Sequence, residues 1–391
     1  MRKLGMTAAV VMALMLTACS ATSPQASSPS TSTSSTTSQA TTTTQAVVTA
    51  KQPVCIGKSV APANLSAITF FSTTTGLGLW SRSSSCGPRL ALTRDGGRTW
   101  RVTGASLPAS NGDFSPEATP TMVFSSKRIG WVNGGGVLVM TRDAGLSWTR
   151  VPLGGWVATI SRSGSSLWAF VAPCNANPNA CSYRLEATTI NSTTFHEIAL
   201  LPSALGNFDP LVVTRLSPDR ALVSVGQMGA KPAILTTDAG RRWTTVRTCA
   251  QSGFVAVAFG TTAPSDAWVL CFGGASMSSS VKTIERSADG GRTWTIVAAD
   301  RSLSGTPPSP VPSPDGTVLA VPSATTMWMA TLNWLYGSRD GGKRWFWVHG
   351  ASFDDAGSFA SFSFVNDWDG WLLAAGSALW RTTDGRSWHS V

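Results

Sequence analysis

The chain has 391 residues, 42% of them hydrophobic, and its 30 Lys and Arg against 20 Asp and Glu give a formal net charge of +10. It contains only three His, and no two of its Cys are spaced as C-x₂-C, which argues against a metal site. Beyond residue 16, no segment is apolar for long enough to cross a bilayer. These features argue against a metalloprotein and a polytopic membrane protein.

The first 50 residues predict an exported protein that carries a lipid. A basic start precedes an apolar run over residues 4–16, which is too short to span a bilayer and is typical of a signal peptide over residues 1–18. The "LTAC" stretch (16–19) resembles a bacterial lipobox, which implies a lipid on the sulfur of Cys19; an ordinary signal peptide with a chance Cys is the alternative. Residues 19–50, rich in Ser and Thr, cannot bury a core, so we expect a disordered stalk. The protein is therefore expected on the extracytoplasmic side of a bacterial cell membrane.

An eight-residue pattern, [S/T]-x-D-x-G-x-x-W, recurs along the rest of the chain; we call each copy a repeat turn. It reads "TRDGGRTW" at 93–100 and returns four times at full length, with a shorter copy, "TTDGRSW", near the C-terminus. The Trp residues are spaced by 48, 95, 51, 51 and 43 residues, so one copy is missing from the long interval. "TINSTTF" (189–195) fills it, with Thr189, Asn191 and Phe195 in place of the hydroxyl residue, the Asp and the Trp. Seven units at such a period indicate a stacked or radially closed repeat.

Each unit carries three short apolar runs ahead of its repeat turn and one after it. In the first unit these runs cover residues 65–71, 76–80, 89–93 and 99–103. Runs of this length, rich in β-branched and aromatic residues and bounded by Gly, Ser and Asp, are typical of strands. Seven four-stranded sheets set radially leave only short edges, so the pattern predicts an all-β fold: a single seven-bladed β-propeller over residues 51–391. Because the first and last units each supply four strands, no strand should be exchanged between the chain ends.

The composition of the repeat turn is explained by local geometry. Its Asp can accept backbone N–H groups of the same turn, Gly supplies a positive φ, and Trp begins the fourth strand and packs on the blade. The alternative, a catalytic carboxylate or calcium ligand, does not suit six equivalent positions around one ring. We therefore assign a structural role to Asp95, Trp100, Asp143, Trp148, Asp238, Trp243, Asp289, Trp294, Asp340, Trp345, Asp384 and Trp388.

These turns resemble the Asp-box (BNR) repeats of sialidases, sortilin-type receptors, xyloglucanases and photosystem II assembly-factor-like propellers. The resemblance covers about residues 60–391 and implies the propeller fold, but it does not imply one activity. The assembly-factor-like group is most similar in plan, because it consists of exported single propellers with "GW…TRDGGRTW" units, as at residues 130–148. We therefore expect a monomeric, non-catalytic binding or assembly propeller with no cofactor.

The alternative function is a glycoside hydrolase or carbohydrate-binding protein of sialidase type. Sialidases need an arginine cluster, a Tyr nucleophile with a Glu beside it, and an Asp acid/base. This chain has two Tyr, of which Tyr336 should pack in a third strand and Tyr183 should lie near a disulfide loop. Asp354 and Asp355, in the loop between blades six and seven, are candidates for half of a carboxylate pair, although a solvated loop explains them as well.

Six Cys remain after Cys19, an even number that suggests three disulfides in an exported protein. They fall near loops on the propeller face opposite the repeat turns. Proximity along the chain suggests the pairs Cys55–Cys86, Cys174–Cys181 and Cys249–Cys271.

Arginine is concentrated in the repeat turns, which all lie on one face of a propeller. This placement predicts a discontinuous basic ring that attracts an acidic protein, anionic lipid headgroups or an envelope polymer; the alternative is that Arg only keeps the turns soluble. No motif supports a nucleic-acid partner. The ring residues are Arg94, Arg98, Arg142, Arg241, Arg242, Arg292, Arg339, Arg344 and Arg386.

Overall fold

The computed structural model describes residues 55–80, 86–108, 120–134, 136–172, 182–202, 211–225, 233–251, 253–276, 279–303, 310–314, 318–331, 334–352, 359–374 and 378–391. The predicted signal peptide, Cys19 and stalk lie outside these residues. Within the described part, the chain forms 28 strands in seven four-stranded sheets and a 3-10 helix at Pro62–Asn64. No helix among these residues is long and apolar enough to span a membrane.

The first four sheets follow the chain in order, and each forms one blade. Blade 1 consists of β1 (Leu65–Phe70), β2 (Gly76–Trp80), β3 (Arg89–Thr93) and β4 (Arg101–Val102). Blade 2 consists of β5 (Thr121–Phe124), β6 (Gly130–Gly134), β7 (Val137–Thr141) and β8 (Thr149–Arg150). Blade 3 consists of β9 (Trp156–Ser163), β10 (Ser166–Ala172), β11 (Arg184–Thr189) and β12 (His196–Leu200). Blade 4 consists of β13 (Leu211–Ser217), β14 (Arg220–Val225), β15 (Ala233–Thr236) and β16 (Thr244–Val246).

The last three sheets continue the same arrangement. Blade 5 consists of β17 (Val255–Ala263), β18 (Asp266–Ser276), β19 (Ser279–Ser287) and β20 (Thr295–Ala299). Blade 6 consists of β21 (Val318–Ala320), β22 (Met327–Ala330), β23 (Trp334–Ser338) and β24 (Phe346–Ser352). Blade 7 consists of β25 (Phe359–Phe364), β26 (Gly370–Ala374), β27 (Ala378–Thr382) and β28 (His389–Ser390). The predicted seven-bladed propeller is confirmed.

Every sheet is a simple antiparallel meander, and its four strands come from one continuous stretch of chain. The first strands of successive blades are neighbours around the ring, and β25 lies beside β1. The expectation that no strand is exchanged between the chain ends is therefore confirmed. Gly57 to Val60 instead run antiparallel to β4, with the Gly57 N–H 2.7 Å from the Val102 carbonyl oxygen. This segment extends the outer edge of blade 1 and does not contribute to blade 7.

Contacts between far-separated residues close the ring. The rings of Phe70 in blade 1 and Trp371 in blade 7 stack with their centroids 3.6 Å apart. The indole N–H of Trp371 donates to the carbonyl oxygen of Gly96 at 2.8 Å, and the Phe70 amide donates to the Ser363 hydroxyl at 2.9 Å. Closure thus combines aromatic packing with directed hydrogen bonds.

Large side chains from the second strands fill the space between blades. The second or third residue of these strands is a fully buried Trp in five blades: Trp131, Trp168, Trp268, Trp328 and Trp371. Several of these rings contact the aromatic residue of the next blade's repeat turn, as Trp328 contacts Trp388 at a centroid distance of 5.1 Å. The repeat-turn aromatic residues were expected to pack on their own blade. Because the blades are arranged radially, a gap widens between neighbouring blades toward the outside, and these residues also fill the gap to the preceding blade.

Two of the three expected disulfides are present. Cys55 is bonded to Cys86, and Cys249 is bonded to Cys271. The expected pair of Cys174 and Cys181 lies outside the described residues. The bond at Cys55 ties the chain entering the propeller to blade 1, and the bond at Cys249 ties the chain leaving blade 4 to β18.

Candidate functional site

The repeat turns share one hydrogen-bond pattern around a buried hydroxyl. In the first turn, Thr93 donates to the Asp95 carboxylate at 2.8 Å and accepts the Gly97 N–H at 2.9 Å. The same carboxylate accepts the N–H of Thr99 at 2.9 Å. Equivalent bonds between the hydroxyl and the carboxylate recur in the other five turns that contain Asp. Each of these hydroxyl residues is at most 1% exposed, and each Asp carboxylate is bonded within its own turn.

A second hydrogen bond places all these turns on one face. The residue after the Asp donates its N–H to a carbonyl in the loop between the first and second strands of the same blade, as Gly96 donates to Thr74 at 2.9 Å. The other five Asp-containing turns repeat this bond, with distances of 2.9 Å. We call the surface formed by these turns and loops the repeat-turn face.

The third repeat turn differs from its sequence alignment. Trp168 pairs with Ala187 in blade 3, as Trp371 pairs with Arg381 in blade 7, so Thr188 and not Thr189 is equivalent to Thr382. Thr188 is buried, and its hydroxyl lies 2.7 Å from the Thr194 carbonyl oxygen. The assignment of Thr189 and Asn191 was wrong by one residue, because the strand register sets the position of the hydroxyl. The turn therefore has full length, with Ile190 in place of the Asp, while the placement of Phe195 is correct.

Hydrogen bonds lower the pKa of five repeat-turn carboxylates. At Asp384, burial raises the pKa, but bonds from the amides of Arg386 and Ser387 and from nearby hydroxyls outweigh it and lower the pKa to about 2. Burial likewise raises the pKa of Asp95, Asp143 and Asp289, and hydrogen bonds within each turn lower it by more. At Asp238, the amide of Arg242 is the main cause of the lowered pKa.

Most of the predicted basic ring lies at the surface. Eight of its nine arginines are exposed, namely Arg94, Arg98, Arg142, Arg241, Arg242, Arg292, Arg344 and Arg386. Arg339 is different: it is half-buried, and its guanidinium lies 5.5 Å from the Trp328 ring and 5.6 Å from the Trp368 ring. The ring is thus interrupted where blades 6 and 7 meet.

A cavity of about 860 Å³ lies at this interruption, between the fourth strands of blades 6 and 7. We call it the blade 6–7 groove. Phe346 and Trp347 of β24 are 36% and 40% exposed in it. The groove was not predicted, but the run "WFW" (345–347) was a signal for it. Side chains alternate along a strand, so three consecutive aromatic residues on an outer strand place aromatic surface on both faces. The wall of the groove includes Arg339, Phe346, Trp347, Trp380, Arg386 and Trp388.

The two Tyr residues considered for catalysis are occupied in packing, and so is the buried carboxyl of Glu285. Tyr183 is 4% exposed within the core shared by blades 3 and 4, and Tyr336 is half-buried on β23, where burial raises its pKa. Glu285 is 1% exposed; burial raises its pKa, while the amides of Cys249 and Ala250 donate to its carboxylate at 2.9 and 2.7 Å. Asp354 and Asp355 lie outside the described residues. Within the described part of the chain, no cluster of three His, Cys, Asp or Glu has the geometry to hold a metal ion.

Comparisons with known proteins show what the chain is similar to. No family model matches it, and no curated protein matches it in sequence. Among solved structures, "YCF48 bound to D1 peptide" has a TM-score of 0.58 at 18% identity, over 83% of this chain and 96% of that chain. YCF48 from Cyanidioschyzon merolae has a TM-score of 0.55 at 16% identity, over 81% of this chain and 94% of that chain. The GH74 xyloglucanase from Xanthomonas campestris has a TM-score of 0.57 at 13% identity, over 85% of this chain and 55% of that chain.

At these identities the similarity shows the fold alone. The chain therefore shares its propeller fold with YCF48 and with a GH74 xyloglucanase. A propeller is a scaffold on which unrelated activities occur, so function has to be argued from this chain's own surface.

Proposed function

We propose that this protein is a non-catalytic binding or assembly propeller, held at the extracytoplasmic side of a bacterial cell membrane by a lipid on Cys19. It engages an acidic protein or an anionic envelope polymer through the repeat-turn face. The observation that carries this proposal is the exposure of eight arginines on that face, while its Asp carboxylates are engaged by their own turns. A surface so arranged attracts anions but offers no free acid/base pair among the described residues.

Two further observations support binding over catalysis. The fold accommodates a peptide in at least one other protein, because a propeller of similar structure is described with one bound. Of the described carboxyls, Glu285 has a raised pKa, but it is buried and accepts two backbone N–H groups. A glycosidase acid needs a raised pKa together with access to substrate.

The test is an affinity pulldown from native membranes with the full chain as bait. A matched bait carries Arg94→Gln, Arg142→Gln and Arg242→Gln, three exposed arginines from blades 1, 2 and 4. We expect the wild-type bait to retain one defined protein or polymer and the triple variant to lose it, in a manner that weakens with salt. Hydrolysis of sialosides or β-glucans by the purified chain would instead establish the alternative, a glycoside hydrolase.

A further inference from the structure

The guanidinium of Arg339 is an unusual group in this molecule. Its three nitrogens are buried and have no hydrogen-bond partner in the described part of the chain. Buried polar groups are nearly always paired, and a buried charge without a partner is costly. An unpaired cation in the wall of a cavity therefore points to a missing anionic partner.

Comparison with other arginines that stack on Trp strengthens this point. Three other arginines also lie over second-strand Trp rings: Arg215 over Trp168, Arg286 over Trp268 and Arg381 over Trp371. Arg215 donates to the Pro218 carbonyl oxygen at 2.7 Å, Arg286 pairs with Asp266 at 2.8 Å, and Arg381 lies 3.9 Å from Asp369. Stacking on Trp is thus a repeated packing element, and the lack of any acceptor distinguishes Arg339 among the four.

The acidic side chains near Arg339 do not pair with its guanidinium. Asp384 and Asp367 raise the pKa of Arg339, but burial and the nearby Arg386 charge lower it by more. The Asp384 carboxylate already accepts the amides of Arg386 and Ser387 at 2.7 and 2.8 Å. Neither Arg339 nor Arg386 forms an ion pair with a described residue. Two cations thus share the groove, and the nearby carboxylates leave both guanidinium groups without an ion pair among the described residues.

The remaining walls indicate the shape of the ligand. Trp347 and Phe346 present aromatic surface to the groove, and such surface gives large apolar contact area. β24 and β28 are the last strands of their sheets, and no described segment pairs with the outer edge of either strand. An extended peptide can pair its own backbone with such an edge, whereas a sugar chain has no matching ladder of N–H and C=O groups. A volume of about 860 Å³ is within the range of ligand sites.

We propose that the blade 6–7 groove binds an extended acidic peptide segment, with a carboxylate beside Arg339 and Arg386 and an apolar side chain against Trp347. This inference rests on the proposed binding function, and it adds the class of partner, an acidic peptide, that the blade 6–7 groove would bind. Arg386 supplies the exposed half of the anion site, because its side chain reaches solvent while Arg339 is enclosed. Two guanidinium groups can bind a carboxylate through charge-assisted hydrogen bonds.

The test measures binding of a fluorescein-labelled octapeptide of alternating Glu and Phe to the full chain in detergent, by fluorescence anisotropy. We expect saturable binding, at least about tenfold weaker for Arg386→Gln, since a hydrogen bond to a charged group contributes about 1.5–3 kcal/mol. Trp347→Ala should weaken binding by a similar factor. The matched controls are Arg301→Gln, which removes an exposed Arg that follows β20 of blade 5 and is not part of the basic ring, and Trp156→Ala, which removes a Trp that is 45% exposed in blade 3.

Each other outcome overturns the inference. Equal affinity for a Gln/Phe peptide would show that the carboxylates are not recognised. An equal loss of peptide affinity in the two control variants would show that the peptide does not bind in the groove. Displacement of the labelled peptide by oligogalacturonate at a lower concentration than by unlabelled peptide would make the groove a glycan site. If the membrane pulldown succeeds while these groove variants bind as wild type, the inference fails and the proposed function stands.

Discussion

Ala144 and Ala239 occupy the position after the Asp that Gly holds in the other Asp-containing turns, and their φ values are 66° and 62°. The left-handed region costs a residue with a Cβ roughly 1–2 kcal/mol. The geometry of the turn, with its two N–H donors to fixed acceptors, imposes this conformation. The repeat turn thus tolerates strain where its hydrogen bonds determine the backbone.

We therefore predict that Ala144→Gly stabilises the propeller. Relief of the left-handed strain should exceed the extra chain entropy of Gly, for a net gain of about 0.5–1 kcal/mol in the free energy of unfolding. Chemical denaturation of the two proteins measures this difference. The control is Ala199→Gly on β12, where φ is negative and the same change should destabilise. A loss of stability in Ala144→Gly would show that the turn is not strained there.

Asp384 gives a prediction for the effect of pH. Its folded pKa of about 2 lies below the unfolded value of about 3.9, so it contributes stability above about pH 4 that is lost as the pH falls toward 2. The difference in melting temperature between wild type and Asp384→Asn should be largest near pH 5 and shrink toward pH 2. The exposed Asp219→Asn serves as the control. A difference that is constant over this range would contradict the hydrogen-bonded role of the carboxylate.

At the scale of the strands and their packing, Trp388 connects two blades. It precedes β28 and is 4% exposed. Its ring contacts Trp328 of blade 6 and Phe362 and Phe364 of its own blade, with centroids 5.1, 6.3 and 6.1 Å away. Loss of this ring would leave a cavity between two blades and not only at the end of one.

We predict that Trp388→Ala lowers the free energy of unfolding by about 3–5 kcal/mol, the usual cost of truncating a buried Trp. That cost is a large part of a typical total of about 5–15 kcal/mol. Urea denaturation of the purified chain measures it, with Trp156→Ala, at a 45% exposed position, as the control. Similar losses in the two variants would mean that the interface between blades 6 and 7 does not depend on Trp388.

The blades were predictable because each is a local unit with its own turn. The four runs of blade 1 predicted its strands to within one residue at the ends of β1 and two residues at the start of β4. The third turn was misplaced because spacing alone cannot distinguish Thr188 from Thr189, and only the pairing of β10 with β11 decides between them. The groove was not predicted, since its walls come from β24 and β28, and their approach depends on how two blades pack.

For the whole molecule, the testable expectation is anchoring. Cys19→Ala should remove the lipid and release the propeller from membranes or leave an uncleaved precursor, because one or more acyl chains supply about 0.8 kcal/mol per buried CH₂. Fractionation of host cells followed by mass spectrometry of the N-terminus measures both outcomes. If a correctly processed Cys19→Ala protein stayed in the membrane fraction, the arginines of the repeat-turn face would be the next candidates for membrane attachment.

The hydrogen bond between Trp371 and Gly96 joins residues 275 positions apart in the chain, which has a consequence for biosynthesis. Ribosomes add roughly 5–20 residues per second, so Gly96 emerges about 14–55 s before its partner is made. During that interval the Phe70 ring has no Trp371 to cover it, and an apolar surface of blade 1 is open to the surroundings. An exported chain spends part of this time crossing the membrane. If the chain is exported as proposed, chaperones of the export route should cover the first blade until the last blade is made.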